Sequence, residues 1–395
     1  MQFEKKYTLA EFFNAHWETY LAGDHKPLRY EQYKAVNAIC ACRTAVLGID
    51  YFACEECGEV KAIYHNCKNR FCPTCSWRDT MKWAEKIKSQ MMNVPHRHVV
   101  FTLPHALIPL IKSNGKHLLN ILFRTAADTF QDWALHKHNI KLGIISVLHT
   151  FGEKKDAHYH VHMIVSWGGI SKKTGELYKI KGTYVKTSFL ANKFRHKFED
   201  ELVKMFNNGS LRHNFKNEIA FKSFLKRINQ KNWIINLEPP IDTPEAVIRY
   251  IGRYSKRACI SEYKITEIEG EYISFNYKDN KTIDQDRKPV VRTLKLHYSK
   301  FFPRLLQHVP LPYFRLVRYY GLYSTKSKIK DEFLNKNKGD DINEEHIEYE
   351  NPFICTLCNR ERVYINTVID IRKPIERKKE TFDINIHPWH EHKRA

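Results

Sequence analysis

Cysteine spacing is the feature that most restricts how this chain can fold. Cys54-x2-Cys57 and Cys72-x2-Cys75 form two pairs that are separated by fourteen residues. Two tight turns of this kind supply four thiolates, which is the tetrahedral ligand set that Zn²⁺ takes in structural sites. We therefore predict one structural Zn²⁺ bound by Cys54, Cys57, Cys72 and Cys75, with a small N-terminal zinc-binding module around it.

The remaining cysteines leave alternatives open. Cys42, His65 and Cys67 are close enough in sequence to offer a second zinc site, or they are small buried side chains and a surface histidine. Cys355-x2-Cys358 is half of a site. It either takes further ligands from the histidine-rich tail or forms a turn without metal.

The charge of the chain indicates its partner. Lys and Arg total 65 against 44 Asp and Glu, which gives a net charge of +21, and such an excess favours a polyanion, most often nucleic acid. No apolar run begins the chain, and the most apolar stretch, 99–111, is interrupted by prolines and too short to span a bilayer. We predict a cytoplasmic protein with no membrane partner, whose thiols stay reduced and available to metal.

Hydrophobic periodicity predicts an α+β fold. The predicted helices are 9–20, 30–42, 77–92, 107–136 and 244–258, and the predicted strands are 98–103, 143–151, 158–167 and 233–237, followed by a hairpin over 263–278. Helices that alternate with strands and a hairpin favour an antiparallel or mixed sheet. We interpret the basic segment 172–231 as an insertion and the charged segment 326–350 as a linker to a small C-terminal piece.

A histidine pair lies in one of the predicted strands. His160-Val161-His162 alternates so that both imidazoles are on one face, which suits a metal ion with open positions for substrate oxygens. A lone pair of this kind is weak evidence, since most are solvated or core residues. His149 ends the preceding strand, and the hairpin can place it opposite His160 or His162, with one register step deciding which.

A tyrosine pair is the candidate nucleophile. Tyr250 and Tyr254 are four residues apart on the predicted helix 244–258, so that their hydroxyls share one face. Tyr319 and Tyr323 have the same spacing, but only the first pair follows a clear helix start. The predicted phosphate-binding residues around it are Arg249, Arg253, Lys256 and Arg257.

Together these segments resemble the two-tyrosine HUH (histidine-hydrophobe-histidine) transposases of rolling-circle insertion sequences, in particular the insertion-sequence ninety-one family. The resemblance runs in the family's order from about residue 40 to 323. It is carried by CRTAVLG (42–48), YHNCKNRFCPTC (64–75), HVVFTLP (98–104), VLHTFG (147–152), HYHVHMIVSWGG (158–169), YIGRYSKRACIS (250–261), FNYKD (275–279) and HVPLPYFRLVRYYGL (308–322).

The resemblance implies a HUH endonuclease domain on an antiparallel sheet flanked by helices. His160 and His162 would bind Mg²⁺ or Mn²⁺, with His149 on the family's VLHT segment as the third ligand, and Tyr250 and Tyr254 would attack DNA. The implied segments are 1–92 (helices and zinc), 93–260 (endonuclease), 261–325 (DNA-binding extension) and 326–395 (linker and tail). Asp50 and Phe71 stand where relatives are expected to carry histidine.

The function predicted is a transposase that nicks and rejoins single-stranded DNA at transposon ends through 5′-phosphotyrosine intermediates. A rolling-circle replication initiator or relaxase would share the histidine and tyrosine chemistry but would act on an origin or transfer site, and nicking alone does not need the zinc module. A zinc-dependent DNA-binding regulator without catalysis is the alternative of another class. Whether the chain forms a homo-oligomer is left open.

Overall fold

The computed structural model describes residues 7–88, 90–182, 184–231, 233–241, 258–286, 288–327, 333–334 and 352–369. The chain divides into two compact units. The first unit comprises Met1–Lys82, Arg257–Val309 and Gly339–Ala395, and the second comprises Trp83–Lys256 and Pro310–Lys338. Both are discontinuous in sequence, whereas the predicted domains were consecutive segments.

The described helices are α1 (Leu9–Ala22), α2 (Tyr30–Ala41), α3 (Pro73–Lys88), α4 (Ile108–His138), α5 (Thr187–Asn207), α6 (Glu218–Asn229) and α7 (Tyr298–Leu306). The described strands are β1 (Ile49–Ala53), β2 (Val60–Tyr64), β3 (His96–Thr102), β4 (Ile140–Phe151), β5 (Ala157–Ser171), β6 (Leu177–Lys179), β7 (Ile234–Ile241), β8 (Ile265–Glu269), β9 (Tyr272–Ile283), β10 (Pro289–His297), β11 (Val317–Gly321) and β12 (Val363–Val368). Short 3₁₀ turns lie at His105–Leu107 and Glu262–Lys264. The α+β prediction is confirmed, and the sheets are antiparallel.

In the first unit, two helical segments from distant parts of the chain share an aromatic core. The α1 helix begins in a capping box, in which the Thr8 hydroxyl accepts from the Glu11 N–H and the Glu11 carboxylate accepts from the Thr8 N–H. On α1, Phe13 stacks on Phe302 of α7 with ring centroids 4.8 Å apart. Burial of these large rings explains why α1 and α7 pack together despite their separation in sequence.

The first unit also contains two three-stranded sheets. The hairpin predicted over 263–278 forms as β8 and β9, with Gly270 at a φ of 51° in the turn, and β10 pairs with β9. The other sheet has the order β12-β1-β2. Its outer strand β12 comes from the C-terminal tail and pairs antiparallel with β1. The N-terminal module therefore includes residues from near the end of the chain.

The second unit is built on a six-stranded sheet with the order β11-β4-β5-β3-β7, and β6 pairs with β5. Alternation along the strands gives the sheet two different faces. On one face, side chains such as Val161 and Phe101 pack against α4, α5 and α6 in the main core. On the other face, Ile145 and Ile164 contact the end of α3 through Trp83.

Two details of the second unit differ from the prediction. Residues 172–231 were predicted as an insertion, but they contain α5 and α6, and Phe194 and Phe198 of α5 are fully buried in the main core. The strand predicted over 233–237 continues through Pro239 and Pro240 to Ile241. Since β7 is at the end of the strand order, it tolerates prolines that a central strand would not.

Among the described residues, no helix has both the length and the apolar composition needed to cross a lipid bilayer.

Candidate functional site

Three histidines meet where β4 and β5 pair. His149 on β4 lies directly opposite His160 on β5, and His162 is two residues further along the same face. The ring centroids of His149 are 5.3 Å from those of His160 and 4.3 Å from those of His162. The candidate donor atoms of the three side chains all lie within 4.8 Å of one another. The hairpin thus brings together the three histidines that the sequence singled out.

Hydrogen bonds engage the Nδ1 atom of each of the two histidines on β5. The Nδ1 atom of His160 is 3.1 Å from the carbonyl oxygen of His158. The Nδ1 atom of His162 is 2.8 Å from Nε2 of His98. In both rings Nδ1 is therefore engaged, which is how neighbouring groups select the tautomer of a histidine whose Nε2 is the metal-binding atom.

His98 extends this arrangement to a carboxylate. It lies on β3 with its side chain almost fully buried, and its Nδ1 atom is 3.4 Å from Oε1 of Glu238 on β7. If His162 donates from Nδ1, His98 accepts at Nε2 and presents its own N–H to Glu238, so that each proton has a place. Neither His98 nor Glu238 is among the predicted site residues, although His98 begins the segment HVVFTLP. Period-two alternation of His96 and His98 in a strand was the available signal.

The environment keeps the paired imidazoles neutral. Burial, together with the adjacent imidazole of His149, holds the pKa of His160 well below the usual histidine value. The same two causes lower the pKa of His162. Because only a neutral imidazole has a lone pair for a cation, the two side chains remain competent ligands at neutral pH.

The predicted tyrosine helix lies outside the described residues. This applies to Tyr250, Tyr254, Arg249, Arg253, Lys256 and Arg257. The competing pair, Tyr319 and Tyr323, lies within the described residues, and both hydroxyls contact other side chains. Tyr319 accepts a hydrogen bond from the indole N–H of Trp83 at 2.6 Å, and the Tyr323 hydroxyl is 2.6 Å from Nε2 of His96. Burial raises the pKa of both phenols, which makes them poor nucleophiles.

The cysteines form two clusters, and this corrects the predicted grouping. Cys72 and Cys75 do not join Cys54 and Cys57. The first cluster consists of Cys42, Cys67, Cys72 and Cys75, and the second of Cys54, Cys57, Cys355 and Cys358. Each cluster has four sulfurs close enough to share one ion.

Local chain geometry explains the first cluster. Cys42 follows α2, Cys67 follows β2, and Cys72 and Cys75 lie at the start of α3. The Sγ atom of Cys75 is 3.6 Å from that of Cys42 and 3.5 Å from that of Cys67. The edge of a tetrahedron with Zn–S bonds of 2.3 Å is about 3.8 Å, so these separations fit a zinc tetrathiolate. Hydrogen bonds from Cys67 and the other two thiols lower the pKa of Cys42.

His65 does not belong to either cluster. Its Nε2 atom is 2.8 Å from the Asp50 carboxylate, and its Nδ1 atom is 3.1 Å from the carbonyl oxygen of Leu47. Both ring nitrogens are thereby engaged by protein groups, so that His65 has a structural role and does not bind metal. The alternative second site of Cys42, His65 and Cys67 is therefore replaced by one in which Cys72 and Cys75 complete the set.

Strand pairing explains the second cluster. Val363 of β12 lies opposite Ala53 of β1, so that the residues before Val363 are next to those after Ala53. This register places Cys355 and Cys358 against Cys54 and Cys57. Sequence spacing could not reveal the partnership because about 300 residues separate the two pairs, as the separation of 304 between Cys54 and Cys358 shows.

Comparison with known proteins finds relatives that are transposases. A family profile described as "Putative transposase" matches residues 143–330, and one described as "Transposase zinc-binding domain" matches residues 12–103. The chain is 31% identical over 328 residues to the putative transposase y4qJ of Sinorhizobium fredii, covering 80% of each chain. It is 27% identical over 311 residues to the transposase for insertion sequence element IS801 of Pseudomonas savastanoi pv. phaseolicola, covering 76% of this chain and 72% of the relative.

No solved structure matches the chain significantly. The first of these relatives, however, exceeds thirty per cent identity over most of both sequences. The two profiles also follow one another in the order expected from the cysteine and histidine segments. The chain therefore belongs to the insertion-sequence ninety-one family of transposases.

Proposed function

We propose that this transposase nicks and rejoins single-stranded DNA at the ends of its element, with tyrosine as the nucleophile and a divalent cation beside it. The observation that carries the proposal is the cluster of His149, His160 and His162 on adjacent strands. It lies inside the region that matches the transposase profile. Three imidazoles that face one point suit a metal ion better than a role in packing.

The residues present fit such an ion. The Nδ1 atoms of His160 and His162 are hydrogen-bonded, which makes Nε2 the proposed metal-binding atom of each ring. One donor atom of His149 lies within 4.8 Å of those of His160 and His162. Mg²⁺ or Mn²⁺ bound there supplies Lewis acidity toward an oxygen of the scissile phosphate. Imidazole ligands favour Mn²⁺ over Mg²⁺, which prefers oxygen.

Tyr250 and Tyr254 are the proposed nucleophiles, on the strength of their helical spacing and basic surroundings. A phenolate oxygen attacks phosphorus, and the phosphorus–oxygen bond to the 3′ side of the upstream nucleotide breaks. The products are a 5′-phosphotyrosine and a 3′ oxygen, which takes up the proton that the tyrosine hydroxyl lost and becomes a 3′-hydroxyl. Attack of a 3′-hydroxyl on the phosphotyrosine reverses the step without an external energy source. Two tyrosines permit two attachments at once, as strand exchange requires.

The charge of the chain supports DNA as the substrate. With +21 overall, binding should weaken steeply as salt increases because each neutralised phosphate releases counterion. We infer a single-stranded or extruded substrate from the tyrosine chemistry. Cutting of intact linear duplex as fast as single strands would contradict this part of the proposal.

A replication initiator or relaxase uses related chemistry, but the match to a transposase zinc-binding domain favours the transposase. A non-catalytic regulator would bind DNA and leave it uncut. Metal-dependent cleavage separates this third possibility from the first two, and the DNA ends that are cut separate the first two from each other.

The experiment uses purified full-length protein and a 3′-labelled single strand that carries the element's end. His160→Ala and His162→Ala should abolish the labelled protein adduct but retain DNA binding, because the imidazoles hold the cation and not the phosphate backbone. His105→Ala is the matched control, since His105 is exposed and contacts His158 rather than the cluster. Full activity of either cluster variant would refute the metal site.

The tyrosines are tested with the same label. Tyr250→Phe and Tyr254→Phe should each retain some adduct, and the double variant should form none. Tyr319→Phe serves as the control because its hydroxyl is already engaged by Trp83. An adduct that persists in the double variant and maps to Tyr319 or Tyr323 would show that the nucleophiles are misassigned.

A further inference from the structure

The two Cys-x2-Cys turns of the second cluster have matching backbones. In the first turn, the Gly58 N–H donates to the Cys54 carbonyl at 2.8 Å, and the Cys54 N–H donates to the Glu59 carbonyl at 2.9 Å. In the second turn, the corresponding bonds run from Asn359 to Cys355 at 2.9 Å and from Cys355 to Arg360 at 2.7 Å. The two turns are thus built alike, although one lies near each end of the chain.

The residue after each second cysteine completes the likeness. Gly58 and Asn359 both have positive φ, at 72° and 57°. Glycine and asparagine are the residues that adopt this conformation most readily. A left-handed residue at this point turns the chain back so that both thiols of a pair face the same side. Two copies of the turn, facing each other, present four sulfurs to one point.

The sulfur separations fit a tetrahedral ion. Sγ of Cys54 is 3.2 Å from that of Cys358, and Sγ of Cys57 is 3.4 Å from that of Cys355 and 3.7 Å from that of Cys358. These distances exceed a disulfide bond of about 2.05 Å and approach the edge of about 3.8 Å expected for a zinc tetrathiolate. No cysteine in the described part of the chain is in a disulfide.

A buried arginine pairs with the carboxylate that contacts this cluster. Arg362 pairs with Glu59 at 2.7 Å, and Glu59 also accepts from the Cys355 thiol at 2.9 Å. Because Arg362 offsets the Glu59 carboxylate, the net charge of −2 on a zinc tetrathiolate lies beside an ion pair and not beside a lone carboxylate. Arg362 also donates to the carbonyl oxygen of Pro352, which fixes the segment that carries the second turn.

We propose that Cys54, Cys57, Cys355 and Cys358 bind a second structural Zn²⁺, separate from the ion of the first cluster, which fastens residues 352–369 to the N-terminal sheet. The match to the zinc-binding domain ends at residue 103 and the match to the transposase profile at residue 330. Neither includes Cys355 and Cys358. The inference does not depend on the tyrosine chemistry, since it concerns how the chain is held together.

Zinc content provides the first test. Purified full-length protein should contain two Zn²⁺ per chain by mass spectrometry of the metal. Cys355→Ser combined with Cys358→Ser should contain one, and so should Cys72→Ser combined with Cys75→Ser. Cys259→Ser is the matched control, because Cys259 is buried but belongs to neither cluster, and it should retain two. One Zn²⁺ in the wild type, unchanged by the tail substitutions, would overturn the proposal.

Thiol labelling of the wild type gives a second test that needs no variant to fold. In native protein, N-ethylmaleimide should leave Cys355 and Cys358 unmodified, and a zinc chelator should expose both to rapid modification. Cys57 is the internal indicator, since its side chain is exposed and only a bound ion would protect it. Modification of these three cysteines at the same rate with and without chelator would show that no metal is bound there.

A protease site introduced between residues 335 and 350 provides the third test. After cleavage, the C-terminal piece should co-elute with the rest of the chain in gel filtration and separate when zinc is removed. Immediate separation with zinc present would contradict the proposed fastening. DNA nicking by the uncut protein is measured in parallel, so that failure of the proposed function can be recognised separately.

Discussion

His98 should control the affinity of the histidine cluster for its cation, although it is not in the cluster. Its side chain is only 3% exposed, and it contacts Nδ1 of His162 at 2.8 Å. His98→Phe fills a similar volume but removes the acceptor, so that the His162 N–H has lost this partner and the ring is free to take the other tautomer. The Nε2 lone pair of His162 is then no longer reserved for the metal.

The size of the effect follows from what is lost. Removal of a group that orients a metal-binding histidine lowers metal affinity roughly 10–100-fold, which corresponds to about 1.4–2.7 kcal/mol. The cost of leaving one buried polar group without a hydrogen bond, about 1–3 kcal/mol, is of the same order. His98→Gln restores an acceptor oxygen and should recover part of the loss.

The assay is calorimetric titration of Mn²⁺ into the full-length protein, with the metal dependence of nicking as a second readout. His105→Phe is the control, because its contact is with His158 at an exposed position. If His98→Phe and the control bind Mn²⁺ equally tightly, or if His98→Gln is no better than His98→Phe, the proposed orienting role is wrong.

Three further predictions concern stability, each measured by urea unfolding. Burial lowers the pKa of His96 to about 3 from 6.5. Since the unfolded chain binds a proton that the folded chain excludes, the free energy of unfolding falls as the pH decreases from 6.5. His96→Gln should reduce the slope of unfolding free energy against pH by about 1.4 kcal/mol per pH unit. An equal slope in both proteins would contradict this. A Cβ on Gly169 would lie 2.0 Å from the Lys141 carbonyl oxygen, so Gly169→Ala should lower the free energy of unfolding by about 2–4 kcal/mol. Gly175→Ala is the control, because φ there is 70° and space is open, and it should cost about 1 kcal/mol. Similar costs for the two variants would refute the clash. Tyr323→Phe removes the hydroxyl that contacts His96 and the Met92 N–H. It should lower the free energy of unfolding by about 1–3 kcal/mol while the DNA adduct persists. Loss of the adduct with unchanged stability would instead give Tyr323 a chemical role.

Local patterns were sufficient for much of the fold. Period-two alternation placed His160 and His162 on one face, and a short hairpin put His149 within reach, because register and side-chain direction in adjacent strands are nearly fixed by the sequence. The choice between His160 and His162 as the residue opposite His149 needed the structure, which shows His160. Strong helical periodicity likewise located α1, α2 and α4.

Tertiary structure decided whatever depends on contacts between distant segments. Spacing identified Cys54 and Cys57 as one half of a metal site, but their partners come from a strand that pairs with β1 from near the other end of the chain. His98 and Glu238 become relevant only because β3 lies between β5 and β7 in the sheet. Sequence fixes which side chains share a strand face or a turn, since those relations are local. Which strands become neighbours depends on the packing of the whole unit, and that alone selects the partners of each cysteine and histidine.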